Sequence, residues 1–198
     1  MAQNYSNFEH IVIDGGSTDD TILILKRFQH LKWVSEKDKG QSEALNKGFH
    51  AATGDVIAWL NSDDTYCLGA FHNINNYFHQ FPKVHVVYGD FNVIDENDKL
   101  LTFRKCKNTS ISDMLKRGSS TVGQPALFFK KSVIDKVGLI DENISLAMDY
   151  DFYIRMIGYY DFFYLNKTLA NFRKHNVSKT LTSMNKNIDI CYQISKKY

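Results

Sequence analysis

Proline is scarce in this sequence, two in 198 residues, which excludes collagen-like and proline-rich linker architectures. Cysteine is scarce too. Cys67, Cys106 and Cys191 are far apart and odd in number, and no pair has the short spacing of a zinc site or redox motif. Reduced thiols and a cytoplasmic setting are therefore expected. Neither sign of charge is in excess: 24 Lys and Arg against 22 Asp and Glu leave a net charge of +2. That balance argues against a general nucleic-acid binder. No apolar run reaches the ~18 residues that span a bilayer, and no signal peptide is expected. The phosphate loops GxGxxG and Walker A are also missing. What is abundant is apolar bulk, 43% of residues with 14 Phe and 11 Tyr, enough to bury a sizeable core. A single domain over 1–198 is expected.

Apolar runs and helical spacings alternate through the first half. Residues 9–14, 31–35 and 55–60 read as strands. Helices are expected over 19–29, where Ile22, Leu25 and Phe28 share a spacing, over 42–52, and over 70–81. Such alternation implies an α/β fold, a mostly parallel sheet with helices on both faces. Ligands bind beyond the carboxyl ends of strands in such sheets, where 14–20 and 61–65 lie. The second half is less regular. It offers a strand or two over 85–94, a turn at 95–98 leading into 100–104, and a strand at 126–129. Helices are expected over 111–117, over 131–137 before Gly138, and over 148–157.

Three polar segments could carry chemistry. Asp14-Gly15-Gly16-Ser17-Thr18-Asp19-Asp20-Thr21 follows a strand. It suits a tight turn and helix cap as well as a backbone cradle in which Asp14 meets a base or ribose. Asn61-Ser62-Asp63-Asp64-Thr65 also follows a strand. Its acids suit a helix cap or a hard cation such as Mg²⁺ or Mn²⁺ shared with substrate phosphates. The spacing also matches the Asp-x-Asp-x-Thr of haloacid-dehalogenase-type phosphatases. The nucleophile position there would be Asn61, however, and an amide cannot form an aspartyl-phosphate. Met148-Asp149-Tyr150-Asp151 opens a helix, with Arg155 following. Its acids suit the helix dipole, an Asp149–Arg155 ion pair, or a general base.

Together these segments are far more specific. With Ser35-Glu36-Lys37-Asp38-Lys39-Gly40, Ala44-Leu45-Asn46-Lys47-Gly48 and Thr53-Gly54-Asp55-Val56, they resemble the nucleotide-sugar half of family 2 glycosyltransferases. Gly123-Gln124-Pro125, Val137-Gly138-Leu139-Ile140-Asp141-Glu142, Met148-Asp149-Tyr150-Asp151 and Phe172-Arg173-Lys174-His175 resemble its acceptor half, in order. The resemblance spans about residues 5–180 and implies a GT-A type α/β fold.

The resemblance also implies roles. Asp14, Gly15 (where a second Asp is common), Asp38 and Lys47 fall at nucleotide-sugar positions. Asn61, Ser62 and Asp63 cover the donor and metal motif, with Asn61 where the family usually has its first Asp, so that metal affinity is expected to rest on Asp63 and Asp64. Asp63, Asp64 and His175 are the expected holders of Mg²⁺ or Mn²⁺. Asp149 matches the catalytic base of an inverting transferase, and Gln124, Pro125 and Asp151 the acceptor side. Arg173 belongs to a late basic motif near the diphosphate. The implied partners are a nucleoside-diphosphate sugar, UDP-linked first, and a glycan or lipid-linked acceptor. Residues 1–90 would form the donor half and 91–180 the acceptor half. A basic segment, 181–198, would follow, with Ile188, Cys191, Ile194 and Tyr198 on one helical face for peripheral membrane contact. Family members carry a further strand, an Asn-bearing loop and a helix ahead of the segment matching Gln3–Tyr5. The resemblance therefore implies an N-terminally truncated form, with exposed sheet edges that favour self-association; the alternative to an active transferase is a non-catalytic remnant or nucleotide-sugar-binding protein of the same fold.

Overall fold

The β-branched run Ile11-Val12-Ile13 forms the centre of β1 (His10–Asp14) in the computed structural model, which describes residues 3–175 and 184–198. β1 pairs in parallel with β2 (Leu31–Ser35), residue for residue from His10↔Leu31 to Asp14↔Ser35. A short helix, α1 (Thr21–Leu25), connects them. It is shorter than the expected 19–29; Leu23 and Ile24 within it and Phe28 beyond it are exposed. α2 (Gln41–Ala51) follows and leads into β3 (Val56–Ile57). β3 keeps two residues of the six expected, since it pairs only where β7 (Leu127–Lys130) runs alongside. α3 (Ala70–Gln80) stops at Phe81, before Pro82, a position that disfavours helix.

The larger sheet runs β3–β7–β5–β8–β4, with β4 at Thr65–Tyr66, β5 at Val86–Ile94 and β8 at Phe162–Arg173. β6 (Leu100–Arg104) pairs with the far half of β5 through the turn at 95–99. Parallel pairing is found for β1–β2 and for the long β5–β8 pair. The remaining pairings are antiparallel, so the sheet is mixed; a connection as short as that between β5 and β6 permits nothing else. The twelve-residue β8 is the longest strand and was not anticipated. Its Asn166 and Lys167 sit where the register with β5 shifts, which erases the alternation that marks a strand. Gly89 belongs to that irregularity: a Cβ there would lie 2.5 Å from the Lys167 carbonyl oxygen.

Side chains alternate across this sheet into two cores. Val86, Tyr88, Leu127 and Phe129 face α2 and two further helices, α5 (Ser132–Val137) and α6 (Met148–Ile157). Val87, Phe128 and Leu169 face α3. Helices on both sides of the sheet are thus found as expected. α4 (Ile111–Arg117) is set by its own sequence: Ser110 and Asp113 form a capping box, and Gly118 closes it with a φ of 59°. α7 (Met184–Ser195) turns Cys191 and Ile194 into the core, leaving Ile188 and Tyr198 exposed. The apolar face expected to meet a membrane is therefore partly spent on the domain. Residues 181–183 of that segment lie outside the described residues. No helix among the described residues is long and apolar enough to cross a membrane.

Candidate active site

Asp14 ends β1 and turns back on the loop that follows it. It accepts from the Gly16 and Ser17 N–H groups and from the Ser17 and Ser35 hydroxyls. The two hydroxyls lead in holding its carboxyl down at about 2. Gly16, at a φ of 84°, makes the turn. Gly15 brings Asp38 in, since a Cβ at Gly15 would sit 2.6 Å from the Asp38 carboxylate. Asp38 accepts from the Gly40 N–H at 2.9 Å. Lys47 is held between Glu36 (2.8 Å) and Glu43 (3.3 Å), which raise its pKa and occupy its ammonium group.

The loop between β3 and β4 carries the second cluster. Asp64 is buried and accepts from the Arg173 backbone N–H at 2.8 Å. Desolvation raises its carboxyl to about 6, with the neighbouring Asp63 adding to the effect. Asp63 is more open and meets the His175 Nε2 at 2.9 Å, across 112 residues of sequence. The Arg173 guanidinium binds the Asp63 and Asp95 carbonyls and the Asp98 carboxylate, so it braces this loop against the β5–β6 turn. Asp63 supplies the carboxylate oxygen that Mn²⁺ or Mg²⁺ favours alongside phosphate oxygens, with the His175 imidazole next to it. No group of three such side chains converges among the described residues. Asp64 is held by the backbone rather than open toward a ligand. Ser62 is exposed.

Asp149 opens α6, just after Ala147, a non-glycine residue at a φ of 55°. It is half-buried, and desolvation raises its carboxyl above the ordinary range. Arg155 pairs with Asp151 at 2.9 Å rather than with Asp149. It also donates to the Val137 carbonyl, so the buried Asp151 ties α6 to α5 and is not open to an acceptor. Pro125 is buried in the 3₁₀ turn Gln124–Ala126, and Gln124 donates to the Trp59 carbonyl at 2.7 Å.

Two residues of this region were not singled out in the sequence. Gln41 donates to Asn61 at 2.9 Å. Tyr153 is fully buried, and its hydroxyl has no hydrogen-bond partner among the described residues. The i,i+4 spacing from Asp149 was the one available signal for Tyr153; Gln41 carried none, because its partner is 20 residues away.

The family profile described as Glycosyl transferase family 2 matches residues 1–138. An uncharacterised glycosyltransferase of Nostoc sp. is 29% identical over 153 residues, 71% of this chain and 47% of the relative. One from Rickettsia typhi is 27% identical over 192 residues, 93% of this chain and 60% of the relative. The chain thus spans about half to three-fifths of the length of these relatives. Among solved structures, Staphylococcus aureus TarS 1–349 in complex with UDP-GlcNAc superposes with a TM-score of 0.72 at 15% identity, covering 91% of this chain and 54% of that one. The mannosyltransferase PcManGT of Pyrobaculum calidifontis, in complex with GDP-Man and Mn²⁺, gives 0.67 at 16% identity, covering 93% and 54%. The shared architecture is the GT-A fold, and the profile match over more than half of the sequence settles the ancestry: this chain belongs to the family 2 glycosyltransferases.

Proposed function

We propose that the chain binds a nucleoside-diphosphate sugar, with UDP as the first nucleotide to test, and transfers the sugar with inversion to a hydroxyl of a glycan or lipid-linked acceptor. Synthesis of a bacterial cell-surface polysaccharide is the setting this chemistry fits. The observation that carries the reading is the meeting of Asp63 and His175, on the loop that Asn61 ties to Gln41, three residues after Asp38. The UDP-GlcNAc and GDP-Man complexes of the structural neighbours support it. Asp63 and His175 would hold a divalent cation, which would supply positive charge to the departing diphosphate. Asp14 and Asp38 would border the nucleoside, and Gln124 with Pro125 the acceptor side.

Asp149 serves in this reading as the general base. As the acceptor oxygen bonds to the anomeric carbon, the bond from that carbon to the diphosphate breaks, and the nucleoside diphosphate leaves with the electron pair. The acceptor proton goes to the Asp149 carboxylate. Desolvation favours this direction, because it makes the carboxylate a stronger base than one in water. Calorimetry with UDP and GDP, with Mn²⁺ or with chelator, tests the donor site. Metal-dependent binding that Asp63→Asn weakens is expected; equal binding in chelator, or none, overturns the cation site. Sugar transfer by Asp149→Asn should fall ~10²–10⁴-fold while donor binding stays unchanged. Donor binding without transfer in the parent would instead indicate a non-catalytic nucleotide-sugar binder of the same fold.

A further inference from the structure

Asn61 occupies the first position of the acidic motif, and its carboxamide is fully engaged. Its Oδ1 accepts from Gln41 Nε2 at 2.9 Å. Its Nδ2 donates to Gln124 Oε1 at 3.0 Å and reaches Asp64 Oδ2 at 3.5 Å. Gln124 Nε2 in turn donates to the Trp59 carbonyl at 2.7 Å. The direction of this ladder is fixed by its end. A backbone carbonyl only accepts, so Gln124 must turn its nitrogen toward Trp59 and its oxygen toward Asn61. Asn61 must then present nitrogen to Gln124 and oxygen to Gln41. Gln41 opens α2 on the donor side, Gln124 opens the turn on the acceptor side, and Asn61 joins them beside Asp63.

We propose that Asn61 is a positioning residue rather than a weakened metal ligand, and that a carboxamide is required there. Gln41–Asn61–Gln124 forms a directed relay that holds the metal-motif loop between the donor and acceptor halves. This inference rests on the donor-site reading above for its functional consequence, but not for the relay itself.

The proposal reverses the simplest expectation for an engineered acid. Asn61→Asp restores the usual first Asp of the motif, yet a carboxylate cannot donate to Gln124 Oε1. Two acceptors would face each other at the 3.0 Å now spanned by a hydrogen bond, and Gln124 cannot flip without opposing the Trp59 carbonyl. The added charge would also stand beside Asp64.

Two measurements on the full chain test the relay. In ¹⁵N-labelled protein without nucleotide, Asn61→Asp and Asn61→Ala should both shift the side-chain amide resonances of Gln41 and Gln124. Unmoved resonances overturn the relay. In calorimetry with UDP and Mn²⁺, Asn61→Asp should bind roughly tenfold more weakly than the parent, the cost of about one hydrogen bond to the loop. The double variant with Gln124→Ala should be no weaker than the worse single variant, because both break one chain. Tighter binding by Asn61→Asp, or additive losses in the double variant, overturns the proposal. Shifts in the variants, with a parent that binds neither UDP nor GDP, refute the donor-site reading and the relay's functional consequence and uphold the relay as structure.

Discussion

Two parallel strand pairs carry the two sides of this site, and they are built differently. β5 and β8 lie inside the larger sheet, and Val86, Val87 and Tyr88 are fully buried between helices on both faces. β1 and β2 form a two-stranded sheet in which only Asp14 is buried, while Ile11, Val12 and Ile13 stay half-exposed. The edge of β1 away from β2 has no partner strand among the described residues. The helix of Asp149 and the loop of Asp63 rest on the first region, the Asp14 loop on the second. Local stability follows buried apolar contact, so the loops of Asp14 and Asp38 sit on the more readily opened part. Their geometry is held instead by polar closure: Asp14 on its serines, Gly15 against Asp38, and the Glu9 carboxylate on the Thr53 and Gly54 N–H groups.

Core truncation should expose this contrast most strongly. Phe129 is fully buried and packs on Phe49 and Phe152, so Phe129→Ala should cost about 3–5 kcal/mol in denaturant unfolding. Val12→Ala in β1 should cost about 1 kcal/mol, since part of that side chain already meets water. Equal losses would erase the distinction.

Glycine substitutions sharpen it in opposite directions. Gly89→Ala drives a Cβ into the Lys167 carbonyl and the Leu169 side chain, and should cost about 2–3 kcal/mol in the same assay. Gly48→Ala, in α2 against β1, places its Cβ 3.7 Å from Ile13, an ordinary contact. It should raise stability by up to ~1 kcal/mol through helix propensity.

A smaller effect is expected from the charge on α6. The Asp149 carboxyl is raised in the fold, so the folded protein keeps this proton to higher pH than the unfolded chain does. Stability then falls as pH rises from the ordinary carboxyl value through the raised one. Asp149→Asn should therefore gain on the parent in thermal unfolding at pH 7 and show no such gain at pH 3. A gain independent of pH would assign the effect to packing.

The smallest change concerns Asp14, whose carboxyl is lowered, the opposite sign. Its stabilisation is complete above the ordinary carboxyl value and is lost as pH falls toward about 2. Ser35→Ala removes one of its hydrogen bonds and should cost about 1 kcal/mol or less at pH 7. The parent and variant should converge in strong acid, and a difference that persists at pH 2 would contradict this.

β1, β2, α2, α3 and α6 were legible because each is a local periodic segment whose neighbours in sequence decide its form. β3 was overread: residues 58–60 are apolar but find no partner strand. β8 was missed because its pairing partner, β5, lies some 75 residues earlier and the register shift hides its period. The acids of the site were legible as types, but their duties were not. Asp63 and Asp64 are adjacent, yet one meets His175 while the other is buried under the Arg173 backbone. Asp149 and Asp151 are two apart, yet Arg155 selects Asp151 because i,i+4 places them on one helix face.

By itself, then, the sequence determined the family, the α/β alternation, and the loops where chemistry-bearing side chains gather. These follow from patterns spanning a few residues, and from motif order, which chain connectivity preserves. Tertiary structure alone decided which of Asp63 and Asp64 is spent on structure and which stays more open. It made Arg173 a brace, split the strands into two sheets of unequal burial, and turned Asn61 into the joint between Gln41 and Gln124. Burial and hydrogen-bond partnership depend on groups 20 to 112 residues apart meeting within 3 Å, and no local pattern encodes such a meeting.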